Sequence, residues 1–74
     1  MRLRAGAVIA VRVNGEQREV PPETTLSGLL AELGLSASQV AVERNRQIVR
    51  RGEYETTRLE AQDELEIVTL VGGG

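Results

Sequence analysis

Apolar and polar residues near the start of the chain are arranged in a way that predicts two strands joined by a tight turn. Residues 8–13 are mostly β-branched, and residues 16–20 follow with polar side chains interleaved. Between them lies Asn14-Gly15, a pair favoured in type I′ turns because both turn positions need a positive φ. Pro21-Pro22 ends the second strand, since neither residue can donate a ladder hydrogen bond. We therefore predict a β-hairpin here, preceded by an N-terminal extension at residues 1–7.

Four leucines at helical spacing predict one amphipathic helix after the hairpin. They fall at i, i+3, i+4 and i+7 and are Leu26, Leu29, Leu30 and Leu33. Thr24 or Thr25 is a suitable N-cap. Gly34 stands where a left-handed C-terminal cap is expected, and Leu35 can add an apolar contact there. We expect the leucine stripe to be core, and a close approach to the sheet would explain Gly28 inside the helix.

The second half of the chain predicts three further strands. They span residues 40–42, 47–49 and 65–71. Turns at residues 43–46 and 62–64 precede the second and third of these strands. Residues 52–59 are expected to be irregular or to form a short helical turn, with Tyr54 and Leu59 as buried anchors.

The order of these elements predicts an α+β fold, with one helix covering one face of a mixed sheet. The first hairpin is antiparallel. A last strand placed beside the first, after a long crossover, would be parallel to it. This is the β-grasp arrangement of ubiquitin-like proteins. We expect a β-grasp domain at residues 8–71 and a flexible glycine tail at residues 72–74.

The composition of the chain argues against several kinds of catalytic site, metal site and partner. The chain has 74 residues with no Cys and no His, which removes thiolate nucleophiles, Ser–His pairs and most zinc sites. The net charge of -2 makes nucleic acid a poor partner. Asp63, Glu64 and Glu66 are interpreted as turn and solvent-face residues rather than as an acid–base pair. No apolar run approaches a membrane span of roughly 20 residues, and we expect a cytoplasmic protein.

Four arginines form a local basic cluster in the second half of the chain. They are Arg44, Arg46, Arg50 and Arg51. One interpretation is a solvated hairpin edge, where charge also discourages aggregation. The other is a docking patch for an acidic partner, and the sequence leaves both open.

The last strand passes directly into three glycines: Gly72, Gly73 and Gly74. Three consecutive glycines cannot belong to a core, so they form either a frayed tail or a functional arm. Such an arm reaches about 10 Å when extended, and without Cβ atoms it can enter a narrow channel in an enzyme that acts on the Gly74 carboxylate. Because side chains alternate along a strand, Val68 and Leu70 are expected opposite the helix. With Val71, they are the predicted partner-binding surface.

Several segments together carry a family resemblance. They are Val40-Ala41-Val42-Glu43-Arg44-Asn45, Ile48-Val49, Arg51, Tyr54, Asp63-Glu64-Leu65-Glu66-Ile67-Val68 and Val71-Gly72-Gly73-Gly74. Over residues 8–74 the chain resembles the ThiS family, the sulfur carriers of thiamine biosynthesis. It departs from the family at three turn positions: Arg46 and Gln62 stand where glycine is usual, and Arg50 stands where proline is common.

The resemblance implies a carrier rather than an enzyme. In such families a ThiF-like partner uses ATP and Mg²⁺ to adenylate the last glycine, here Gly74, and a sulfur donor protein then displaces AMP. The resulting thiocarboxylate delivers sulfur to a ThiG-like thiazole synthase, and the carrier itself binds no cofactor. The alternatives are a molybdopterin synthase small subunit, which usually has prolines shortly before Gly-Gly, a ubiquitin-like protein modifier, and a plain β-grasp binding module.

Overall fold

A computed structural model describes residues 8–70 of the chain. Within this part there are five strands, one α-helix and two short 3₁₀ helices. The elements are β1 (Ile9–Val13), β2 (Glu16–Val20), α1 (Leu26–Glu32), a 3₁₀ helix (Ala37–Gln39), β3 (Val40–Arg44), β4 (Gln47–Val49), a 3₁₀ helix (Arg51–Glu53) and β5 (Glu64–Thr69). The predicted N-terminal extension and glycine tail lie outside the described residues, as does Val71.

The strands form one mixed sheet in the order β2-β1-β5-β3-β4. β1 pairs with β2 in antiparallel orientation, β3 does so with both β4 and β5, and β1 and β5 are parallel. The last strand therefore lies in the centre of the sheet, beside the first. The predicted α+β fold, a β-grasp with one main helix on one face of a mixed sheet, is confirmed.

The core lies between α1 and one face of the sheet. Leu26, Leu29 and Leu30 are buried, and Leu33 is half-buried against them. The sheet and the loop after β4 supply the rest of this cluster: Val11, Val13, Val20, Val40, Val42, Tyr54, Leu59, Leu65 and Ile67. The leucine stripe is thus core, as its helical spacing predicts, and Tyr54 and Leu59 are the buried anchors that the sequence indicates.

The N-terminus of α1 is held by its cap and by the loop that follows β4. Thr25 is the N-cap, and its side-chain hydroxyl accepts a hydrogen bond of 3.1 Å from the amide of Gly28. The amide of Leu26 donates to the carbonyl of Thr57, and the amide of Ser27 donates to the carbonyl of Tyr54, both at 2.9 Å. These amides have no partner inside the helix, so the loop both satisfies them and fixes the helix over the sheet.

Gly34 follows the end of α1 and has the predicted left-handed conformation, with φ of 74°. The amide of Gly34 donates to the carbonyl of Ala31 at 3.1 Å, and the amide of Leu35 donates to that of Leu30 at 2.9 Å. This pair of bonds is the Schellman motif. The half-buried Leu35 packs against the core beside it.

Two predicted turns are shorter than the sequence indicates. Residues Glu43 and Arg44 belong to β3 because they pair with β5, which leaves only Asn45 and Arg46 in the turn to β4. β5 begins at Glu64 rather than at residue 65. Charged residues extend both strands, and local polarity hid this from a pattern-based prediction. Arg46 and Gln62, where the family resemblance predicts glycine, have positive φ angles of 72° and 73°.

The proposed close approach of Gly28 to the sheet is wrong. A Cβ atom at this exposed position would meet only the Thr25 hydroxyl at 3.4 Å and the Thr24 methyl at 3.8 Å. These are helix-cap atoms, and the distances are ordinary van der Waals contacts. The sheet therefore gives no reason for a glycine here.

Replacing Gly28 by alanine is expected to stabilise the domain. Alanine is favoured over glycine inside a helix by roughly 1 kcal/mol, and its methyl group has room. Urea denaturation should show a higher midpoint for Gly28→Ala. The matched control is Gly34→Ala, which should lower the midpoint because its φ of 74° is unfavourable for alanine. A lower midpoint for Gly28→Ala would show that the space beside Thr25 is too small.

Candidate docking face and glycine tail

β5 presents opposite faces to the core and to solvent. Leu65 and Ile67 are buried against the helix side, whereas Glu64 and Glu66 are exposed on the other side. Val68 is 56% exposed, and Leu70 is 44% exposed. The predicted orientation of this strand is therefore confirmed. Whether a partner binds Val68 and Leu70 stays a prediction.

The side of the sheet away from α1 carries exposed apolar residues on β3 and β4 as well as on β5. Strand register places Ala41 opposite Val68 and places Ile48 opposite Glu43. Ile48 is 77% exposed. We call the surface formed by these residues and their neighbours the open face: Ala41, Glu43, Ile48, Glu64, Glu66 and Val68. They line one shallow depression together. Alternation from the buried Val40 and Val42 would have identified Ala41 in the sequence.

Carboxylates lie among the apolar residues of the open face. Glu43 lies on the middle strand of this surface, between Ile48 on β4 and Glu66 on β5, and Glu64 lies two residues before Glu66 on the same side of β5. Like charges directly opposite each other in a sheet repel. Arg46 is the basic residue that borders the same depression. The open face therefore combines exposed apolar residues with three neighbouring carboxylates.

The loop between β4 and β5 does not cover the open face. Its anchors, Tyr54 and Leu59, are buried in the core on the helix side of the sheet. The loop also bonds to the start of α1 through the carbonyls of Tyr54 and Thr57. The possibility that residues 52–62 shield Val68 and Leu70 is therefore excluded. The other possible cover, residues 1–7, lies outside the described residues.

The predicted basic cluster does not act as one free patch. The Nε atom of Arg44 donates to the Oδ2 atom of Asp63 at 2.8 Å. The Nε atom of Arg51 donates to the carbonyl of Ala37 at 3.0 Å. Two of the four arginines thus make hydrogen bonds within the domain, and Arg51 is exposed as Arg46 and Arg50 are. This arrangement favours the interpretation of a charged hairpin edge over that of a four-arginine docking patch.

Asp63 lies in the predicted turn, where its amide donates to the carbonyl of Glu60 at 3.1 Å. Its side chain, however, is a buried structural carboxylate, so its interpretation as a solvent-face residue is wrong. It is 4% exposed. Besides Arg44, it accepts hydrogen bonds from the amide of Glu60 at 2.8 Å and from the side chain of Asn45 at 3.0 Å. Burial alone raises the pKa of Asp63. The hydrogen bonds from Glu60, Asn45 and Arg44 and the positive charge of Arg44 outweigh burial, so the pKa lies below its ordinary value of 3.8. The carboxylate is therefore ionised at neutral pH.

The predicted reactive end, Gly74, and the arm residues Gly72 and Gly73 lie outside the described residues. The structure describes the chain up to Leu70, which precedes Val71 and these glycines. Leu70 follows β5 directly, and its amide donates to the carbonyl of Gln39 at 2.8 Å. The ladder between β3 and β5 thus continues to the residue before Val71.

Among residues 8–70, no helix is long and apolar enough to cross a membrane.

Comparison with known proteins finds similarity over most of the chain. The model of the ThiS family matches residues 11–74. A thiazole synthase of Magnetococcus marinus is 44% identical over 64 residues, which are 86% of this chain but 20% of that protein. This chain therefore spans about a fifth of that relative. The sulfur carrier protein ThiS of Bacillus subtilis is 37% identical over 65 residues, which are 86% of this chain and 98% of the relative.

A solved structure shares the fold. The crystal structure of the thiamine biosynthesis protein ThiS from Geobacter metallireducens matches with a TM-score of 0.76 and 28% identity. The match covers 89% of this chain and 100% of that chain. The mixed sheet and its helix are therefore common to both proteins.

The lowered pKa of Asp63 predicts an acid-sensitive contribution to stability. Since the folded-state pKa lies below 3.8, the unfolded state binds more protons as the pH falls. The contribution of Asp63 is present above the unfolded pKa and is lost as the pH falls through the folded pKa. Asp63→Asn should therefore lower the free energy of unfolding at pH 7 and flatten its acid dependence.

Urea denaturation between pH 7 and pH 2 measures both effects. Glu64→Gln is the matched control because it removes an exposed carboxylate from the adjacent position. An acid dependence in Asp63→Asn as steep as that of the wild-type chain would refute this role of Asp63.

Proposed function

Because this chain belongs to the ThiS family, we propose that it is a sulfur carrier of thiamine biosynthesis rather than an enzyme. The observation that carries the proposal is the family match over residues 11–74, which includes the glycine tail. Similarity to nearly the whole of the Bacillus subtilis sulfur carrier adds support. The Geobacter relative that shares the fold is a thiamine biosynthesis protein, which favours the same pathway.

The proposed chemistry takes place at the carboxylate of Gly74. An α-carboxyl group has a pKa of about 3.3–3.7 and is ionised at neutral pH, so it is a poor electrophile. A ThiF-like enzyme would bind ATP and Mg²⁺ and join the carboxylate to AMP, with release of pyrophosphate. A persulfide on a sulfur donor protein would then attack the acyl adenylate and displace AMP. A thiol would break the S–S bond of the resulting acyl persulfide link, which leaves a thiocarboxylate on Gly74 and a disulfide on the donor. ATP and Mg²⁺ belong to the partner enzyme, and we propose the cytoplasm as the compartment.

The proposed recipient of the sulfur is a ThiG-like thiazole synthase. The similarity to a segment of the Magnetococcus thiazole synthase supports this choice, because that relative carries a ThiS-like segment within its own longer chain. The likeness also favours the thiamine pathway over the molybdopterin and protein-modifier alternatives.

In this proposal the adenylating enzyme binds the open face together with Leu70 and Val71. Exposed apolar residues that form a cluster are a common mark of a protein-binding site. The carboxylates of Glu43, Glu64 and Glu66 add charge complementarity to a partner surface that combines basic and apolar residues. Binding there holds Gly74 at a set distance from the partner, since Val68 lies six residues before it.

The first test of the proposal is the chemistry of the tail. Incubation with a ThiF-like enzyme, ATP, Mg²⁺ and a sulfur source should replace one terminal oxygen by sulfur, which intact-mass spectrometry detects. Deleting Gly74, or adding one residue after it, should abolish this change because the reacting carbon must occupy a fixed place in the partner's site. Sulfur transfer to the extended chain would refute the carrier function.

The second test separates docking from chemistry. Val68→Asp places a charge beside Ala41 on the open face, and it should raise the KM of the carrier in the adenylation reaction by about tenfold or more. Val8→Asp is the matched control, because Val8 is 45% exposed and precedes β1 at the opposite end of the sheet. Unfolding midpoints near the wild-type value establish that both variants fold. An unchanged KM for a folded Val68→Asp variant would exclude the open face as the docking surface.

A further inference from the structure

β5 extends beyond the strand that pairs with it on one side. The parallel pairing of β1 and β5 comprises Arg12 with Glu64 and Val13 with Leu65, and β1 ends at Val13. β5 continues to Thr69. The second half of β5 therefore has β3 along one edge and no residue of β1 along the other.

The backbone N–H and C=O groups of Ile67 point toward the edge of β5 that β1 no longer pairs with. On the β3 side, backbone bonds involve even-numbered residues of β5 and the residue that follows it: the carbonyl of Glu64 accepts from Asn45, and the amide of Leu70 donates to Gln39. Backbone groups alternate in direction along a strand. The odd-numbered Leu65 and Ile67 therefore direct theirs to the β1 side, where the carbonyl of Leu65 accepts from the amide of Asn14 at 2.8 Å.

The side chain of Asn14 takes the place of a further strand residue beside Ile67. Its Nδ2 atom donates to the carbonyl of Ile67 at 3.1 Å, and its Oδ1 atom accepts from the amide of Ile67 at 2.8 Å. A primary amide has both a donor and an acceptor, as a peptide group does. Asn14 thus prolongs the ladder between β1 and β5 by one step, across a separation of 53 residues.

The turn conformation makes this contact possible. Asn14 and Gly15 have φ angles of 51° and 87°, so the predicted positive-φ turn is confirmed. β1 therefore reverses at Asn14, and its backbone cannot accompany β5 any further. The side chain of Asn14 reaches Ile67 instead, and asparagine also tolerates the left-handed conformation.

We propose that Asn14 is a positioning residue for the transfer reaction at Gly74. By bonding both backbone groups of Ile67, it fixes the direction of Val68, Thr69 and Leu70, and so the point from which the glycine tail continues into the partner. Misplacement of a reacting group by about 1 Å can cost roughly 100-fold in rate. This role rests on the proposed function and adds to it a residue outside the tail and the open face.

Asn45 provides a matched control at the other end of the same strand. It also has a positive φ, 52°, and its Oδ1 atom accepts from the amide of Glu64 at 2.9 Å. Its Nδ2 atom donates to Asp63. Asn14→Gly and Asn45→Gly both preserve the turn conformation, since glycine adopts positive φ readily. Each variant removes a side chain that makes two hydrogen bonds, at Ile67 for Asn14 and at Asp63 and Glu64 for Asn45. Only Asn14 lies near the end of β5 that leads to the tail.

Amide measurements test the positioning without any partner. Hydrogen exchange should quicken at Ile67 in Asn14→Gly and at Glu64 in Asn45→Gly. ¹⁵N relaxation should show greater mobility of Thr69 and Leu70 in Asn14→Gly alone. If Thr69 and Leu70 are as ordered in Asn14→Gly as in Asn45→Gly, Asn14 does not position the exit.

Kinetics of adenylation by a ThiF-like enzyme test the consequence. In Asn14→Gly, kcat should fall by about 10-fold to 100-fold, whereas KM should change much less because no side chain of the open face is removed. Asn45→Gly should keep a wild-type kcat under conditions in which both variants are folded. Equal kcat values for the two variants would overturn the proposal.

Asn14→Asp serves as a second variant if Asn14→Gly does not fold. It keeps the acceptor for the Ile67 amide but replaces the donor to the Ile67 carbonyl by an oxygen, so the same fall in kcat is expected. A wild-type kcat in this variant would refute the need for the second hydrogen bond. If the wild-type chain is not adenylated, the proposed function fails, and the amide measurements still decide whether Asn14 orders the end of β5.

Discussion

The pairing of β5 along both of its edges holds the domain together. One hairpin, β1 with β2, lies on one side, and the other, β3 with β4, lies on the opposite side. A two-stranded hairpin alone is marginally stable in water. Insertion of β5 converts the two hairpins into a single sheet, and its residues Leu65 and Ile67 complete the core beneath α1. Asp63 and Asn14 secure the two ends of this strand by side-chain hydrogen bonds.

The single helix divides the sheet into two surfaces with different uses. α1 and the loop that caps it cover one face, and they bury the apolar side chains that give this domain its stability. The other face keeps Ala41, Ile48 and Val68 exposed beside three glutamates. In the proposed function that surface recognises the partner, and the glycine tail enters the partner's site. In that proposal, β5 carries residues that bind the partner, and the segment that follows β5 carries the reacting carboxylate.

Local patterns in the sequence predicted most of the fold but little of its polar interior. Helical spacing of the leucines, the Asn14-Gly15 turn and the cap at Gly34 are signals from neighbouring residues, and the structure confirms them. Asp63 has no local signal for burial, because its partners Arg44 and Asn45 are almost twenty residues away. The second role of Asn14 depends on a residue still farther along the chain. Strand alternation located Val68 on the open face and could have located Ala41, whereas Ile48 needed the register between β3 and β4.

The central place of β5 also determines when the domain can fold during translation. Residues 64–69 are synthesised after both hairpins and the helix, yet they occupy the middle of the sheet. Pairing of β1 with β5 closes a loop of about fifty residues, and contacts so distant in sequence form slowly. A nascent or truncated chain that lacks β5 has neither a joined sheet nor Val68. Completion of the sheet and synthesis of the glycine tail therefore nearly coincide, so a chain that carries the tail also carries the whole open face.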